Sequence, residues 1–160
     1  MRKLIPIVLF FIPLEFYAQN SPLGIYYNYF GAELIINSDS TFNYIRKFDL
    51  SSSWTNGNWM VRNDTVYLTT ILVFDTLIST NNKSIIVLSD DNKSSSLKES
   101  EYAISQISSG GQNQHLFIDK YYFRKNRLIE IDQNGKLITQ KKSYVSKTKY
   151  IPWFIKKENQ

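Results

Sequence analysis

The chain contains no cysteine among its 160 residues and only one histidine, His115. Without cysteine it has no disulfide and no thiol that could carry a lipid, so its core alone must stabilise the fold. Any catalysis by imidazole, or metal binding through it, would have to use His115. Long apolar runs are missing as well. The run from Leu4 to Leu14 has eleven residues, whereas a membrane-spanning helix needs about 20.

The first 18 residues carry the pattern of an export signal. Arg2 and Lys3 precede the apolar run, and Ala18 is the small residue before a cut at Gln19. The pattern predicts a cleavable bacterial signal over residues 1–18 and a single soluble domain over 19–160, periplasmic or extracellular, without a stable membrane anchor. The alternative is an N-terminal anchor helix.

The composition beyond residue 18 is typical of an all-β fold. It is rich in Tyr, Phe, Ile, Ser, Asn and Thr, and apolar residues alternate with polar ones. Turn residues recur at roughly ten-residue intervals. We therefore expect an antiparallel up-and-down barrel or a strongly twisted meander of about eight to ten strands, with a sandwich as the alternative closure. The expected strands are 24–30, 33–36, 41–48, 58–62, 65–77 with a break, 83–89, 115–124, 127–132 and 144–155, the last ended by Pro152.

One short helix is expected from Leu97 to Ile107. Ser96 and Glu99 fit a capping box, and Ala103 and Ile107 share a helical face. The alternative is a strand with Tyr102 and Ile104 on one side.

Two Asn-Gly pairs predict two-residue hairpin turns, because Asn and Gly tolerate positive φ. Asn56-Gly57 would place Trp54 opposite Trp59. Asn134-Gly135 would pair Ile131 with Ile138 and Glu130 with Thr139. Asn63-Asp64, Asn81-Asn82 and Lys125-Asn126 are further expected turns.

The segment from Gly24 to Leu68 resembles the small lipocalin-like, calycin-type proteins that bacteria export. The resemblance is carried by Gly24-Ile-Tyr26, Leu34-Ile-Ile36, Asp39-Ser-Thr41-Phe42-Asn-Tyr44, Gly57-Asn-Trp59 and Asp64-Thr-Val-Tyr-Leu68. Tyr26 stands where that family more often has Trp, and Ser40 stands where it usually has Gly. The resemblance implies an up-and-down barrel with an apolar cavity, and it implies no particular ligand.

Alternation along residues 41–48 suggests a ligand pocket. It places Phe42, Tyr44, Arg46 and Phe48 on one face. An interior guanidinium needs an acidic partner, so Arg46 would hold a ligand's acidic group. Tyr26, Phe42, Tyr44 and Trp59 would form the walls. The alternative is that the inward face ends at Tyr44 and that Arg46 lies in solvent near the rim.

Charge is uneven along the chain. Residues 19–118 hold six Lys or Arg and nine Asp or Glu, and residues 119–160 hold eleven and four. The basic part suggests a partner surface for a protein or an anionic polymer. Its residues are Lys120, Tyr121, Tyr122, Arg124, Lys125 and Arg127. The alternative is that the basic residues only keep solvent faces and edge strands from associating, and that a helix or loop covers the aromatic face.

Candidates for catalysis and metal binding are weak. Ser108, Ser109, His115 and Asp119 lack the surrounding motif of a hydrolase, and Asp90-Asp91 and Asp132 with Asn134 lack the spacing of a calcium loop. These acidic residues fit turns better. We therefore expect no catalysis, no cofactor and no metal, with a hydrolase that uses His115 as a remote alternative.

Taken together, the sequence predicts an exported lipocalin-like monomer that binds a small apolar or amphipathic ligand, or a cell-envelope protein or polysaccharide. Nucleic acid is not an expected partner of an exported protein. The main alternative function is an interaction module that uses the basic residues from Lys120 to Lys149.

Overall fold

The computed structural model describes residues 21–158 except 49–50, 80, 82, 109–110, 117 and 144–148. The predicted export signal therefore lies outside the described residues. The elements are, in chain order, β1 (Gly24–Tyr27), β2 (Glu33–Ile36), β3 (Thr41–Phe48), β4 (Ser51–Arg62), β5 (Thr65–Ile71), β6 (Phe74–Ile78), β7 (Ser84–Leu88), β8 (Ser96–Lys98), α1 (Glu99–Ser108), β9 (Lys120–Arg124), β10 (Arg127–Glu130), β11 (Lys142–Ser143), β12 (Lys149–Tyr150) and β13 (Phe154–Lys156).

Eight of these strands close into an antiparallel barrel. Their order around it is β1, β13, β10, β9, β5, β4, β3 and β2, and β2 pairs with β1 to complete the ring. Closure removes the open sheet edges that would otherwise pair with other chains. The all-β fold and the closed barrel expected from the sequence are confirmed.

The core lies inside the barrel and consists of the alternate residues of its strands. Leu34 faces Tyr44 across β2 and β3, and Val66 faces Tyr121 across β5 and β9. Burial of such side chains contributes about 1.5–3 kcal/mol each, which is how a chain without disulfides can be stabilised. The buried cluster comprises Tyr26, Ala32, Leu34, Ile36, Phe42, Val66, Leu68, Tyr121, Phe123, Leu128 and Phe154.

Two of the predicted tight turns are present. Asn63 and Asp64 have φ values of 50° and 58°, and Lys125 and Asn126 have 48° and 59°. Positive φ at both central residues is the geometry of a type I′ turn, whose twist matches the flanking strands. The turn at Lys125-Asn126 places Leu128 opposite Phe123, as expected. Asn82 is outside the described residues, so the turn at Asn81-Asn82 stays a prediction.

The hairpin predicted at Asn56-Gly57 is wrong. β4 runs without a turn from Ser51 to Arg62 and pairs with β3 and β5. Gly57 does not form a turn; its missing side chain leaves room for neighbouring groups. A Cβ there would clash with the Thr69 carbonyl oxygen and lie 2.7 Å from Phe42 Cε1. Trp54 and Trp59 consequently do not face each other.

The second Asn-Gly pair does lie in a turn, but with a different register. Ile131 bridges to Leu137 rather than to Ile138, and the Asp132 N–H donates to the Lys136 carbonyl oxygen at 2.9 Å. Gly135 has a φ of 80°, which fits a three-residue loop with glycine in the left-handed region. The extra loop residue shifts the pairing by one position, and beyond β10 the pairing consists of the isolated bridge between Ile131 and Leu137.

The chain between β5 and β9 forms a second, smaller sheet with the helix. β6 is its central strand, antiparallel to β7 and parallel to β8. The predicted break in residues 65–77 is confirmed, since β5 ends at Ile71 and β6 begins at Phe74. The helix is also confirmed, and the strand alternative is wrong. It begins two residues later than expected because Glu101 Oε2 accepts the Lys98 N–H at 2.9 Å, and this replaces the capping box predicted at Ser96.

Several predicted strand boundaries need correction, and residues 144–148 of the strand predicted over 144–155 lie outside the described residues. β1 ends at Tyr27 instead of Phe30, β9 begins at Lys120 instead of His115, and Pro152 does not end the last strand. Pro152 precedes β13, the strand that closes the barrel by pairing with β1 and β10.

In the part of the chain that the structure describes, no helix is long and apolar enough to cross a membrane.

Candidate functional site

A cavity of about 320 Å³ lies at one end of the barrel. This volume is at the lower end of the range for small-molecule pockets, about 300–1,000 Å³. Inward-facing residues at the ends of the strands form its walls, and the loop after β1, residues 113–116 and Ile118 border its mouth. The lining residues are Asn28, Phe30, Ala32, Tyr44, Arg46, Ser53, Asn113, His115, Leu116, Ile118, Tyr121, Glu130 and Phe154.

The inward face of β3 runs from the packed core to the mouth of the cavity. Phe42 is fully buried, Tyr44 is half-buried and Arg46 is exposed. Side chains two residues apart share a face of a strand, so Arg46 points to the same side as Tyr44 but one step further out. Ser53 faces Arg46 from β4. The guanidinium therefore lies at the rim and also lines the cavity.

The opposite wall comes from the β9–β10 hairpin. Its turn at Lys125-Asn126 pairs Tyr121 with Glu130, and both side chains line the cavity. β3 and β10 are four places apart in the ring of eight strands. Arg46 and Glu130 thus project from opposite walls, and the cavity carries one positive and one negative side chain.

The phenols of Tyr44 and Tyr121 line the same cavity. Burial raises the pKa of Tyr44, while Arg46 lowers it and Glu130 raises it. Burial also raises the pKa of Tyr121 well above its ordinary value, with Glu130 as the next cause. Both phenols are therefore protonated at neutral pH, and each can donate one hydrogen bond and accept another. Phe154 packs edge-on against both rings and supplies an apolar floor.

The loop after β1 shapes one side of the mouth. Asn28 Oδ1 accepts the N–H groups of Phe30 and Ala32 at 3.0 and 2.9 Å, and Gly31 has a φ of 73°. An asparagine side chain that bonds its own loop in this way favours a tight turn. This turn is why β1 ends before Phe30, and it brings Phe30 and Ala32 to the cavity.

Residues 113–116 and Ile118 form the other side of the mouth, and hydrogen bonds to β4 fix where this segment starts. The Trp54 N–H donates to the Gly111 carbonyl oxygen at 3.2 Å, and the Asn113 N–H donates to the Trp54 carbonyl oxygen at 2.8 Å. Trp54 Nε1 donates to the Asp90 carbonyl oxygen at 2.9 Å. From this anchor the chain crosses to β9, and Leu116 and Ile118 pack against the core cluster on the way.

The five residues predicted to bind a ligand separate into two groups. Tyr44 and Arg46 line the cavity. The other three do not line it, because Tyr26 and Phe42 belong to the buried core and Trp59 packs against that core. The Tyr26 hydroxyl donates to the Pro22 carbonyl oxygen at 2.7 Å, Trp59 Nε1 donates to the Asn37 carbonyl oxygen at 2.8 Å, and Phe42 packs over Gly57.

Sequence reasoning did not assign Tyr121, Glu130, residues 113–116 or Ile118 to this cavity. The pattern did contain a signal for two of them. A two-residue turn at Lys125-Asn126 makes Tyr121 and Glu130 partners, and alternation from the apolar Leu128 places Glu130 inside. No local pattern indicates that residues 113–116 and Ile118 line the cavity, because hydrogen bonds to the distant Trp54 position the start of this segment.

The residues predicted as a partner surface also lie in different places. Tyr121 is buried inside the barrel, and Lys120 and Tyr122 are half-buried. Arg124, Lys125 and Arg127 are exposed around the β9–β10 turn, where Arg124 directly faces Arg127. The Arg127 guanidinium lies 5.8 Å from the centre of the Trp153 ring, within cation–π range.

The residues considered for catalysis or metal binding lie at the cavity, on the surface or in turns. His115 is exposed at the cavity, and Asp119 is exposed as well. The side chains of Ser108 and Ser109 lie outside the described part of the structure. Asp91 and Asp132 accept backbone N–H groups of their own turns, at 2.9 Å from Lys93 and 2.8 Å from Lys136. Within the described ranges, no group of three or more His, Cys, Asp or Glu side chains could hold a metal ion.

No family model, no curated protein and no solved structure matches this chain. The eight-stranded antiparallel barrel implied by the resemblance to lipocalin-like proteins is present, without an assignment to that family.

Proposed function

We propose that this chain is an exported, lipocalin-like binding protein whose barrel cavity holds a small amphipathic molecule with an acidic group. The observation that carries the proposal is the position of Arg46 beside the Tyr44 phenol at the mouth of a 320 Å³ cavity. The binding involves no catalysis, and the ligand is a free metabolite or part of a cell-envelope component.

The distribution of polar and apolar groups supports an amphipathic ligand. The apolar lining of the cavity comes from Phe154, Leu116, Ile118 and Ala32, and its polar lining includes Arg46, Ser53 and Asn113. Apolar walls with a few placed polar groups are the usual composition of small-molecule sites. A short alkyl or aryl group would fill the floor, and the acidic group would meet the guanidinium.

Glu130 sets the orientation of such a ligand. Its carboxylate repels an anion, so an acidic group is favourable on the Arg46 side of the cavity and unfavourable on the Glu130 side. The two side chains therefore have opposite effects on the affinity for an acid. Removing the charge of Arg46 should lower this affinity, and removing the charge of Glu130 should raise it.

Octanoate and octanol are suitable probes because they share an alkyl chain and differ in charge. Isothermal titration near neutral pH should show tighter binding of octanoate. Arg46→Gln should weaken octanoate binding about fivefold, as expected for about 1 kcal/mol at a partly exposed site, and should leave octanol binding unchanged. Glu130→Gln should strengthen octanoate binding by removing the repulsion.

Lys47→Gln is the matched control. Lys47 is the next residue of β3, carries the same charge and is exposed on the outward side of the strand. It should change octanoate binding little. Equal effects of the Arg46 and Lys47 substitutions, or equal affinity for octanoate and octanol, would show that the cavity does not recognise acidic groups.

Export is a separate part of the proposal and is supported by the sequence pattern of residues 1–18. N-terminal sequencing of protein recovered from the periplasm or medium of a bacterial host should begin at Gln19. Recovery from the cytoplasm with Met1 retained would exclude export.

A second candidate function is binding of a sulfated or carboxylated polymer by the β9–β10 turn. The supporting observation is that Arg124 and Arg127 directly oppose each other beside Lys125. Like charges in this position destabilise a hairpin, so a binding role would give a reason for keeping them. Replacing Arg124, Lys125 and Arg127 with Glu should abolish retention on immobilised heparin, and unchanged retention would reject this function.

A further inference from the structure

The small sheet leaves one apolar strand at an open edge. β7 has the sequence Ser84-Ile-Ile-Val-Leu88 and, among the described strands, pairs only with β6. Ile85 is 51% exposed and Ile86 is 75% exposed. Natural edge strands are usually protected by inward charges, proline or bulges, and this strand contains neither a charged residue nor proline.

The hydrogen bonds around β6 and β7 show which backbone groups face the open edge. The Ser79 N–H donates to the Lys83 carbonyl oxygen at 3.0 Å, and the Ser89 N–H donates to the Val73 carbonyl oxygen at 3.0 Å. In an antiparallel pair, residues alternate between bonding the partner and pointing away from it. Continuing this alternation, Ile85 and Val87 bond β6, whereas the N–H and C=O groups of Ser84, Ile86 and Leu88 point outward.

We propose that two copies of this chain associate through β7, which pairs antiparallel with β7 of the second copy across a two-fold axis at Ile86. Full overlap of the five-residue strand requires this register. Ile86 then bonds Ile86 of the second copy, and Ser84 bonds Leu88 in both directions, giving about six backbone hydrogen bonds. Centring the axis on Ile85 or Val87 would give about four.

Charge and shape favour this pairing. In the proposed register Lys83 of one copy lies opposite Ser89 of the other, close to the exposed carboxylate of Asp91. Parallel pairing would instead bring the two lysines together. The antiparallel pair also places Ile85 beside Val87 on one sheet face and the two Ile86 side chains together on the other, so the most exposed isoleucine of the strand becomes covered. The sequence alone predicted a monomer, and this edge is the reason to propose a dimer.

Ile86→Pro is a selective test, because the N–H that proline removes points away from β6. Edge strands tolerate proline at such positions. Sedimentation equilibrium over about 1–500 µM should show a monomer–dimer equilibrium for the unmodified chain. The proline variant should weaken it about 30-fold, the effect of losing one hydrogen bond from each copy. Ile86→Lys should also prevent association by placing two like charges at the axis.

Ile155→Lys is the matched control. Ile155 is similarly exposed and apolar, but its strand β13 is paired on both sides within the barrel. It should leave the dimer intact. A monomer at every concentration, or association unaffected by both Ile86 variants, would overturn the proposal.

Hydrogen exchange gives a second readout that tests the register. The amides of Ser84, Ile86 and Leu88 should become protected as the concentration rises, while those of Ile85 and Val87 should be protected at every concentration. Protection of all five amides independent of concentration would indicate that the edge is covered within one copy, which would also overturn the proposal.

Discussion

Replacing Gly57 with alanine should destabilise the protein far more than a typical glycine-to-alanine change. A Cβ at this position would clash with the Thr69 carbonyl oxygen and lie 2.7 Å from Phe42 Cε1. The carbonyl belongs to β5, which is held in the barrel by β4 and β9, so it cannot withdraw without disturbing two strand pairs. Overpacking of this kind costs about 1–3 kcal/mol, and we expect the upper end because a backbone atom is involved.

Thermal unfolding followed by circular dichroism measures the effect. For a chain of this size a loss of about 3 kcal/mol lowers the midpoint by about 6–12 °C. Gly31→Ala is the control, since Gly31 has a φ of 73° and no atom within 4 Å of an added Cβ. It should cost only the backbone strain of a side chain in the left-handed region, about 1–2 kcal/mol. If Gly57→Ala were no worse than Gly31→Ala, the continuous strand through Asn56-Gly57 would be refuted in favour of a turn.

Two further predictions concern a turn and the buried phenols. Lys125→Gly should raise the free energy of unfolding by up to about 1 kcal/mol in urea titrations, because Lys125 has a φ of 48° that glycine adopts without strain; a loss of stability would contradict the type I′ turn. Burial raises the pKa of Tyr26, Tyr44 and Tyr121, so their protons are bound more tightly in the folded state than in the unfolded one. Stability should therefore be unaffected by these groups below about pH 10 and should fall as the pH rises above it. Urea titrations from about pH 8 to 11 would measure the stability, and ultraviolet difference spectra would follow the ionisation of the tyrosines. If every tyrosine of the folded protein titrated together near pH 10, the prediction would be contradicted.

Several features of the barrel could be predicted from local patterns. β2 and β3 have the expected bounds, and alternation within them separates inward from outward residues correctly. The turns at Asn63-Asp64 and Lys125-Asn126 were also predictable, because asparagine and aspartate tolerate positive φ next to alternating strands. These features depend on residues close together in the chain.

Two of the wrong predictions concern Asn-Gly pairs, whose composition does not specify whether they form a turn or how long the loop is. Asn56-Gly57 has the composition of a turn, but Gly57 provides room for the Phe42 ring and for β5, which are distant in sequence. At Asn134-Gly135 the turn was found, but the loop length that sets the register was not. Neither a cross-strand clash nor a bulge is visible in a window of a few residues.

Only part of the candidate site could be predicted, because some of its residues are brought together by contacts that are distant in sequence. Arg46 and Tyr44 follow from alternation along a single strand, whereas Glu130 requires the opposite wall of a closed barrel to be known. The position of residues 113–116 at the mouth depends on the hydrogen bonds that Trp54 forms with Gly111 and Asn113. Closure of the barrel is what combines these parts into one cavity.

The most direct test of the central claim is to locate bound octanoate by nuclear magnetic resonance. The account predicts saturable shifts at residues that line the cavity, such as Ala32, Leu116 and Ile118, together with loss of affinity in Arg46→Gln. Shifts confined to the outer face of the barrel, for example at Ile35 and Ile45, or no saturable shift at the cavity, would contradict it.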